Sequence, residues 1–510
     1  MIRAALRAAL PAMLLALAVL LPFWNKPFTT DDYVFLREAG QALVTPLQPT
    51  SVPLTWGEDL VASASKIVPT GPVIAWLLTP VALAGYSEWV GHAIVFSLFL
   101  LAILVTALFA LRVGCGPPQA SMAALLVAAS PVALAMSGTL MPDIPSLLLA
   151  VLALERLIAW RDDQLIRDGI IAGLLLGLAI LTRTHLLLLL PVGALLVYRR
   201  LLPIWIGAGI ALLGFWLARD LSGGSLNSTA LSYAALQHVH QNLKAFFANW
   251  ALATPLVAVW LLYTWRSKWT WCVAVAAVAI ALECLLRGLI WYPVPLAIVG
   301  FGMLADLGWR AWQSHRPELI SLFACLWIAL PVVLYVHMPS KYLLPSLPAA
   351  AVLLVILLPV PEVSGISWVA APTLAGFVAG ALMLYADTSA GRTNQAIVRE
   401  HIAPRVARRE HVWSVGHWGY QWYAERAGAR TAALNQMPGK NEIIVVNSEA
   451  GCRLMEQFSN GVRVASYTIL SYGPHIMNRQ LGAGFYSNEY GILPLAWGTS
   501  EIRVDLWQLR

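Results

Sequence analysis

The sequence has little charge and few cysteines. Among its 510 residues only 12% are charged, whereas 59% are hydrophobic, and the mean hydropathy is +0.70. Soluble domains carry about a quarter charged residues, so these side chains cannot cover the surfaces of two to four soluble domains. The five cysteines are an odd number, and four lie in or beside apolar segments, which speaks against a disulfide framework or a metal cluster. The composition therefore predicts a membrane protein.

Motifs of several common protein classes are missing. The net charge is +7, but the basic residues are scattered singly or in pairs between apolar runs, without the stripes that follow nucleic-acid phosphates. The sequence contains no Walker motif, no G-x-G-x-x-G after a strand, no G-x-S-x-G and no metal-binding motif. Nucleic-acid binding is therefore not expected, and ATP-driven transport is disfavoured.

The N-terminal 88 residues predict one helix and a large external loop. Arg3 and Arg7 precede the apolar run Ala8 to Trp24, and no small-residue cleavage site follows it. We therefore expect an uncleaved first helix with a cytoplasmic N-terminus. Residues 25–88 mix acids, prolines and short apolar pieces, which indicates an external loop with interfacial helices.

Twelve further apolar runs predict membrane-spanning helices, about thirteen in all. They are Trp89 to Leu111, Ser121 to Leu140, Ile144 to Trp160, Gly169 to Thr182, His185 to Tyr198, Leu201 to Leu217, Trp250 to Trp265, Thr270 to Leu286, Leu289 to Leu307, Leu319 to Val336, Tyr342 to Pro359 and Ile366 to Ala386. Alternating sides from a cytoplasmic start places twelve basic residues inside and eight outside before residue 387, as the positive-inside rule requires. The C-terminus is then expected outside.

Residues 387–510 have a different composition. They hold 13 of the 33 basic and 10 of the 26 acidic residues, and they contain no run long enough to span a bilayer. Strand-like segments at Val412 to Val415, Ile443 to Val446 and Val462 to Tyr467 alternate with helix-like segments at Tyr420 to Ala427 and Gly451 to Phe458. The predicted fold is thus a polytopic α-helical membrane domain, residues 1–386, followed by a small soluble α/β domain, residues 387–510.

Three acids are expected at the outer face. Asp31 and Asp32 follow the first helix directly, and adjacent carboxylates can supply a general base, a ligand for a divalent cation, or both. The alternative is a helix cap, with Thr30 or Asp31 beginning an amphipathic helix. Asp143 lies at the predicted outer mouth of two helices, where it too could be a cap, with Pro145 in the first helical turn.

Basic residues also border the outer ends of predicted helices. They are Arg183, Arg219, Arg287 and Lys341. For each one alone, snorkelling to the membrane surface is the default interpretation. Together they suit a lipid-linked phosphate or pyrophosphate, because charge-assisted hydrogen bonds to phosphate are strong.

Histidine and aromatic residues provide weaker signals. His185, His238, His240 and His337 are predicted outside, but His238 and His240 lack the third ligand and helical spacing of a zinc site. Structural or interfacial roles are favoured for this pair. The segment His417 to Tyr423 contains four aromatic rings, which could stack on sugars, although a helix packing its aromatic residues onto a sheet is the favoured interpretation.

The order of these motifs resembles the GT-C membrane glycosyltransferases, in particular the bacterial branch related to protein O-mannosyltransferases and lipid A aminoarabinose transferases. The resemblance covers most of residues 1–360. Its motifs are Asp31-Asp32-Tyr33, where the family has an acidic pair, Pro72-Val73-Ile74-Ala75-Trp76-Leu77, Gly85-Tyr86-Ser87-Glu88-Trp89, Pro142-Asp143-Ile144-Pro145, Leu181-Thr182-Arg183 and Lys341-Tyr342-Leu343-Leu344-Pro345-Ser346-Leu347-Pro348.

The sequence departs from the family at three positions. Thr70-Gly71-Pro72-Val73 stands where the family has Lys-Pro-Pro-Leu, so the lysine that would meet the donor phosphate is absent there, and Lys66 is a candidate substitute. Arg183 replaces a lysine and Lys341 replaces an arginine. These two exchanges keep the charge but alter the hydrogen-bonding geometry.

The resemblance implies an inverting hexosyl- or pentosyltransferase in a bacterial inner membrane. It would move a sugar from a polyprenyl-phosphate carrier to a glycan, lipid or protein acceptor at the outer face. Asp31, with Asp32, would be catalytic, Asp143 would shape the acceptor or a cation site, and Lys341, Arg183, Arg219 and Tyr342 would meet the donor phosphate. The alternatives are a secondary transporter or flippase for a lipid-linked sugar, and a polysaccharide ligase or polymerase using a pyrophosphate-linked donor.

Overall fold

The computed structural model describes residues 1–56, 59–67, 70–222, 235–358, 365–448 and 461–509. Most of these residues are helical. The helices are α1 (Ile2–Leu20), α2 (Asp32–Val44), α3 (Val73–Leu83), α4 (Glu88–Val113), α5 (Pro117–Ala128), α6 (Pro131–Ser137), α7 (Asp143–Asp163), α8 (Ile166–Thr182), α9 (Leu189–Val197), α10 (Leu202–Ser222), α11 (Val239–Leu252), α12 (Leu256–Thr264), α13 (Lys268–Leu286), α14 (Pro293–Gln313), α15 (Pro317–Cys325), α16 (Leu347–Leu357), α17 (Gly365–Ile397), α18 (Ala403–Ala407) and α19 (Trp418–Arg426).

The helical membrane fold is confirmed, but the count of thirteen spans is not. Within the described ranges, seven helices are long and apolar enough to cross a membrane, or nine if each of two bent helix pairs forms one span. The predicted span His185 to Tyr198 is a 3₁₀ turn followed by the nine-residue helix α9. An apolar run predicts burial in lipid or protein, but it does not say where the backbone bends.

The two bent pairs break at residues that contact one another. Helices α5 and α6 meet at 60°, and α11 and α12 at 71°. Ser130, at the first break, donates its hydroxyl hydrogen to the backbone oxygen of Ala253 at the second break, over 2.8 Å. This bond satisfies a carbonyl that the broken helix leaves open, as backbone groups inside a membrane require.

Helices α7 and α8 separate two polar regions. Near the C-terminal end of α7, Arg112 binds Glu155 at 2.7 Å, and Arg156 binds Asp168 at the start of α8 at 2.9 Å. At the opposite ends of the same helices, Asp143 begins α7 and Arg183 follows α8 directly. A helix of 21 residues is about 30 Å long, so one polar region lies roughly a bilayer thickness from the other.

The predicted external loop contains helices and a small hairpin. Helices α2 and α3 pack against each other, and strands β1 (Leu54–Trp56) and β2 (Asp59–Val61) pair antiparallel between them. Helix α2 begins one residue after Asp31, whose side chain makes no helix-capping hydrogen bond. The carboxylate of Asp31 is therefore not used by the cap.

The C-terminal region contains the predicted mixture of strands and helices. Its main sheet includes β3 (Val412–Val415), β4 (Arg430–Thr431), β5 (Ile443–Asn447), β6 (Gly461–His475) and β9 (Ala496–Leu509), in the order β4-β3-β5-β9-β6. Strand β3 is parallel to both β4 and β5, whereas β9 is antiparallel to β5 and β6. A two-stranded sheet pairs β7 (Met477–Asn478) with β8 (Ala483–Gly484). The predicted helix Gly451 to Phe458 lies outside the described residues.

Helix α19 connects the C-terminal region to the loop of residues 25–88. The backbone N–H of Phe28 donates to the Tyr423 hydroxyl at 2.8 Å, and Arg37 binds Glu425 at 2.6 Å. Gly419 lies so close to the backbone of Phe28 that an added Cβ would stand 2.3 Å from its oxygen. The C-terminal region thus holds the start of the loop that carries the predicted catalytic acids.

Candidate functional site

Four of the predicted site residues line one cleft. They are Asp31, Arg183, Lys341 and Tyr342. The cleft encloses about 810 Å³ of empty space, and most of its remaining lining is apolar or aromatic. The other lining residues are Phe35, Trp56, Ile67, Thr70, Met141, Thr184, His185, Tyr335, Val336 and His337. Segments far apart in the sequence, from the loop of residues 25–88, the end of α8 and the 3₁₀ turn before α16, therefore build one site.

Asp31 presents the available carboxylate of the cleft. Its side chain is 25% exposed, and Lys341 Nζ lies 3.9 Å from its Oδ2 atom. Burial raises the pKa of Asp31 above its ordinary value, and the charges of Lys341 and Arg183 oppose that rise. A carboxylate with a raised pKa and no capping role is suited to accept a proton.

Arg183 is held by Asp143. The Nη2 atom of Arg183 donates to Asp143 Oδ2 at 2.6 Å, and the two side chains are 11% and 2% exposed. The Nε atom of Arg183 is buried and has no hydrogen-bond partner among the described residues. Asp143 therefore orients the guanidinium, and the Nε–H of Arg183 has no protein partner in the described structure.

Lys341 and Arg183 share the ring of Tyr342. The guanidinium carbon of Arg183 lies 5.2 Å from the ring centre, and Lys341 Nζ lies 6.0 Å from it. The ring of His185 contacts the same tyrosine edge-on, with ring centres 5.4 Å apart. Cation–π contacts hold both cations at the cleft. Two positive charges therefore line the same space.

Asp32 faces away from the cleft lining. Its two carboxylate oxygens accept backbone N–H bonds from Thr29 at 2.9 Å and from Leu140 at 2.7 Å, and the residue is fully buried. Burial raises its pKa to about 7. The geometry gives Asp32 a positioning role, because it ties the turn before Asp31 to the loop before Asp143.

A buried ion pair that the sequence analysis missed supports the same turn. Lys26 Nζ lies 2.8 Å from Asp387 Oδ2, and it also donates to the Thr29 hydroxyl at 2.7 Å. Asp387 accepts further bonds from Thr29 and from the Tyr486 hydroxyl, each at 2.9 Å. No local pattern could reveal this pair, because its two members are separated by most of the chain.

Thr70, His185 and His337 add polar atoms to the cleft lining. The Thr70 hydroxyl and His185 Nε2 are buried without a partner among the described residues. His337 is neutral at physiological pH, because burial lowers its pKa to about 3. His185 and His337 were predicted outside from topology alone, and their position near Arg183 and Lys341 in the sequence was the only signal that could have placed them at the site.

Of two further predicted residues, one has a side chain outside the described structure and the other lies away from the cleft. Arg219 lies in the part of α10 whose side chains are not described. Lys66, the candidate substitute for the missing family lysine, is exposed and does not line the cleft. Across the described ranges, no group of three His, Cys, Asp or Glu side chains could hold a metal ion.

The chain is similar to known glycosyltransferases. Residues 68–219 match the family described as dolichyl-phosphate-mannose-protein mannosyltransferase. No curated protein sequence matches the chain. The matched segment contains Thr70, Asp143, Arg183 and His185, four of the residues that build or support the cleft.

Solved structures with similar overall shape have low sequence identity. An oligosaccharyltransferase of Archaeoglobus fulgidus is 14% identical, with a TM-score of 0.49, over 86% of this chain and 65% of its own length. ArnT from Cupriavidus metallidurans bound to undecaprenyl phosphate is 13% identical, with a TM-score of 0.47, over 98% of this chain and 97% of its own. The arabinofuranosyltransferase AftD from Mycobacteria is 15% identical, with a TM-score of 0.45, over 99% and 40%.

The family match agrees with the motifs found along the sequence. It covers the motif segments at Pro72, Asp143 and Arg183, and the fold brings these segments to the cleft that Asp31 and Lys341 also line. The resemblance inferred from the sequence is thereby confirmed over residues 68–219, where the chain is similar to the protein mannosyltransferase family.

Proposed function

We propose that the protein transfers a sugar from a polyprenyl-phosphate carrier to an acceptor hydroxyl at the outer face of a bacterial inner membrane. The observation that carries this proposal is the meeting of one carboxylate, Asp31, with two separately held cations, Arg183 and Lys341, in a largely apolar cleft. Apolar walls suit a prenyl chain, cations suit its phosphate, and the carboxylate suits an incoming hydroxyl.

Asp31 is the general base in this proposal. Its carboxylate accepts the proton of the acceptor hydroxyl while the acceptor oxygen bonds to the anomeric carbon of the sugar. The bond from that carbon to the phosphate oxygen breaks, and its electron pair leaves with the polyprenyl phosphate. A single displacement of this kind inverts the anomeric carbon. General-base assistance contributes about 100 to 10,000-fold in rate.

Lys341 couples the base to the leaving group. Before transfer, its ammonium faces the Asp31 carboxylate at 3.9 Å. When Asp31 takes the proton it becomes neutral, and at that moment the departing phosphate gains negative charge. The ammonium and the free Nε donor of Arg183 then stabilise the new charge. Lys341 thus faces the Asp31 carboxylate before transfer and the departing phosphate after it. It has a counter-charge in both states.

Tyr342, Asp143 and Asp32 support this chemistry indirectly. Tyr342 keeps the two cations apart, Asp143 orients Arg183, and Asp32 fixes the backbone from which Asp31 projects. Thr70 occupies the position of the missing family lysine with an unpartnered hydroxyl. The donor phosphate is therefore bound by the two remaining cations. The transferred group, a hexose or a pentose, would contact the polar atoms of Thr70 and His185.

Transfer by purified protein from synthetic polyprenyl-phosphate sugars tests the function. Activity with a monophosphate donor, lost in Asp31→Asn, supports the proposal. Activity only with a pyrophosphate donor would favour a ligase or polymerase. Movement of a labelled lipid-linked sugar across vesicles without transfer would favour a transporter. The two helix breaks, at Ser130 and Ala253, do not line the cleft.

Reporter fusions test the orientation that the proposal requires. Fusions after residues 200 and 316 should report the cytoplasm, and a fusion after residue 390 should report the outer compartment. The polar region around Glu155 would then be cytoplasmic and the cleft external. A cytoplasmic report at residue 390 would contradict the proposed site of transfer.

A further inference from the structure

A second cavity lies on the other side of the turn that carries Asp31. It is lined by Thr29 and Thr30, by α17 and by the C-terminal region, and it encloses about 1280 Å³ of empty space. Asp31, the next residue along the chain, lines the first cleft instead. The wall between the two spaces is therefore one short segment of backbone.

Tyr486 completes this wall. Its ring lines the second cavity, and Lys341 Nζ, which lines the cleft, lies 5.6 Å from the ring centre. Its hydroxyl donates to Asp387 at 2.9 Å, and Asp387 is neutralised by Lys26. Thr30 has a φ of 44°, which is strained for a β-branched residue. The turn is thus held in a rarely adopted conformation by buried polar bonds on its second-cavity side.

The approach of α17 to this turn is unusually close. A Cβ atom added at Gly391 would lie 2.9 Å from side-chain atoms of both Pro27 and Thr29. Any larger residue there would push the helix and the turn apart. The helix that forms one side of the second cavity is therefore seated directly against the backbone that positions Asp31.

The lining of the second cavity differs in chemistry from that of the cleft. The cleft has two cations and apolar walls, whereas the second cavity is lined mainly by hydroxyl, amide, imidazole and indole groups. Its lining carries one cation, Arg479, and two acids, Asp387 and Glu501, and Asp387 is paired with Lys26. Such a surface offers many donors and acceptors but no net charge for a phosphate.

His417 has unsatisfied hydrogen-bonding groups at this cavity. It is 8% exposed, it lines the cavity, and neither of its ring nitrogens has a partner among the described residues. Burial lowers its pKa to about 4, so the ring is neutral and offers one donor and one acceptor. His475 Nε2, also at this cavity, is likewise unpartnered in the described structure. Buried polar atoms without partners are costly, so three of them on two histidines at one cavity point to a polar ligand.

We propose that the second cavity binds the acceptor, and that this acceptor is an uncharged, polyhydroxylated group, a sugar residue of a glycan. This inference rests on the proposed transferase function where it calls the bound sugar the acceptor. The sugar-binding site itself is inferred from the lining residues alone. Hydroxyl groups of a sugar can satisfy both nitrogens of His417, and the adjoining indole of Trp418 offers a face for the ring. Thr30, which lines this cavity, directly precedes Asp31, so a bound sugar lies beside the turn that carries the base.

Saturation-transfer NMR on the full-length protein in nanodiscs tests this site without requiring turnover. The probes are the methyl glycosides of glucose, galactose, mannose and N-acetylglucosamine, with glycerol 3-phosphate as an anionic comparison. We expect saturation of at least one glycoside, whereas any saturation of glycerol 3-phosphate should come from the two cations of the cleft and be the same in wild type and Ala390→Trp. Saturation of no glycoside, or of glycerol 3-phosphate alone, would overturn the proposal.

Two variants locate the binding. Ala390→Trp fills the cavity from the exposed face of α17 without removing a polar group, and it should abolish the glycoside signal. Tyr385→Trp, on the same helix but 57% exposed and outside the lining, is the matched control and should keep it. Equal signals in the two variants would overturn the site. His417→Leu should weaken binding about 10-fold through its lost hydrogen bonds.

Transfer kinetics separate this proposal from the proposed function. Should the wild type transfer sugar but bind no glycoside, only the acceptor site is wrong. If the wild type binds a glycoside at this cavity but transfers no sugar from any polyprenyl-phosphate donor, the transferase function is wrong. The bound sugar is then not an acceptor. With an active wild type, His417→Leu should raise the KM of a glycan acceptor and leave the KM of the donor unchanged. A rise in the donor KM alone would also overturn the assignment.

Discussion

Lys341 Nζ and Asp31 Oδ2 lie 3.9 Å apart, beyond hydrogen-bond distance but close enough for strong attraction between their charges. Asp31 is partly exposed to the cleft, whereas Lys341 is 4% exposed. The ammonium is therefore fixed by packing while the carboxylate remains accessible. This arrangement allows an acceptor hydroxyl to reach the base and a donor phosphate to reach the cation.

The acidic pair should divide into a functional and a structural residue. Asp31→Asn should abolish transfer and leave the thermal stability near that of the wild type, because the Asp31 side chain makes no capping bond. Asp32→Asn should lower the melting temperature, because an amide cannot accept with both side-chain positions the bonds from Thr29 and Leu140. Transfer rates and melting curves of both variants check this. Near-normal turnover by Asp31→Asn would refute the catalytic assignment.

Lys341→Ala should weaken donor use. Loss of a charge-assisted bond to phosphate costs about 1.5 to 3 kcal/mol, or roughly 10 to 150-fold in kcat/KM. Lys341→Arg should keep most of the activity, since the family pattern has arginine at this position. The measurement is the transfer rate at subsaturating donor. Equal and undiminished rates for both variants would remove Lys341 from the site.

The acid limb of the pH profile should depend on Lys341. Asp31 acts as the base only when deprotonated, so kcat/KM falls as the pH drops through its pKa, which burial raises above the ordinary value. The charge of Lys341 lowers this pKa, and its removal in Lys341→Met should move the acid limb to higher pH. The residual rate of the variant, measured against pH, checks the shift. An unmoved limb would mean that another group is the base.

Asp143→Asn should destabilise the protein, because it leaves the buried Arg183 without its counter-charge. Breaking a buried pair costs about 3 to 5 kcal/mol, and the double variant Asp143→Asn with Arg183→Gln should recover part of that loss. The matched control is Arg287→Gln, which breaks the exposed pair with Glu283 and should cost less than about 1 kcal/mol. Melting temperatures decide the outcome. Equal effects of Asp143→Asn and Arg287→Gln would contradict the buried pairing.

Glu38→Gln should stabilise the protein at alkaline pH. Glu38 is fully buried in α2, neither of its oxygens has a partner among the described residues, and burial raises its pKa to about 8. The folded state thus binds this proton more tightly than the unfolded state, so stability falls as the pH rises from about 4.3 through 8. The gain in melting temperature should be small near pH 5 and largest above pH 8. A gain independent of pH would show that Glu38 is not protonated in the fold.

Several helices and strands could be predicted because their signals are local. The apolar run from Trp89 predicted α4, and the β-branched segments at Val412 and Ile443 predicted β3 and β5 almost to the residue. The break at Ser130 was not predicted, because the apolar run continues through it and hydropathy does not record backbone direction. The count of thirteen spans is not confirmed for the described residues, where seven to nine helices or helix pairs are long and apolar enough to span.

The sequence by itself determined that the chain is a membrane protein, which motifs it carries and which charged residues follow the ends of its helices, since composition and short patterns depend only on neighbouring residues. Tertiary structure alone decided which of these residues meet. It left the Asp31 carboxylate without a capping bond, whereas the Asp32 carboxylate accepts backbone hydrogen bonds. It also paired Arg183 with Asp143 and joined Lys26 to Asp387 across most of the chain. The physical reason is that a buried charge must find its partner through the packing of helices, and this packing leaves no pattern within either sequence segment.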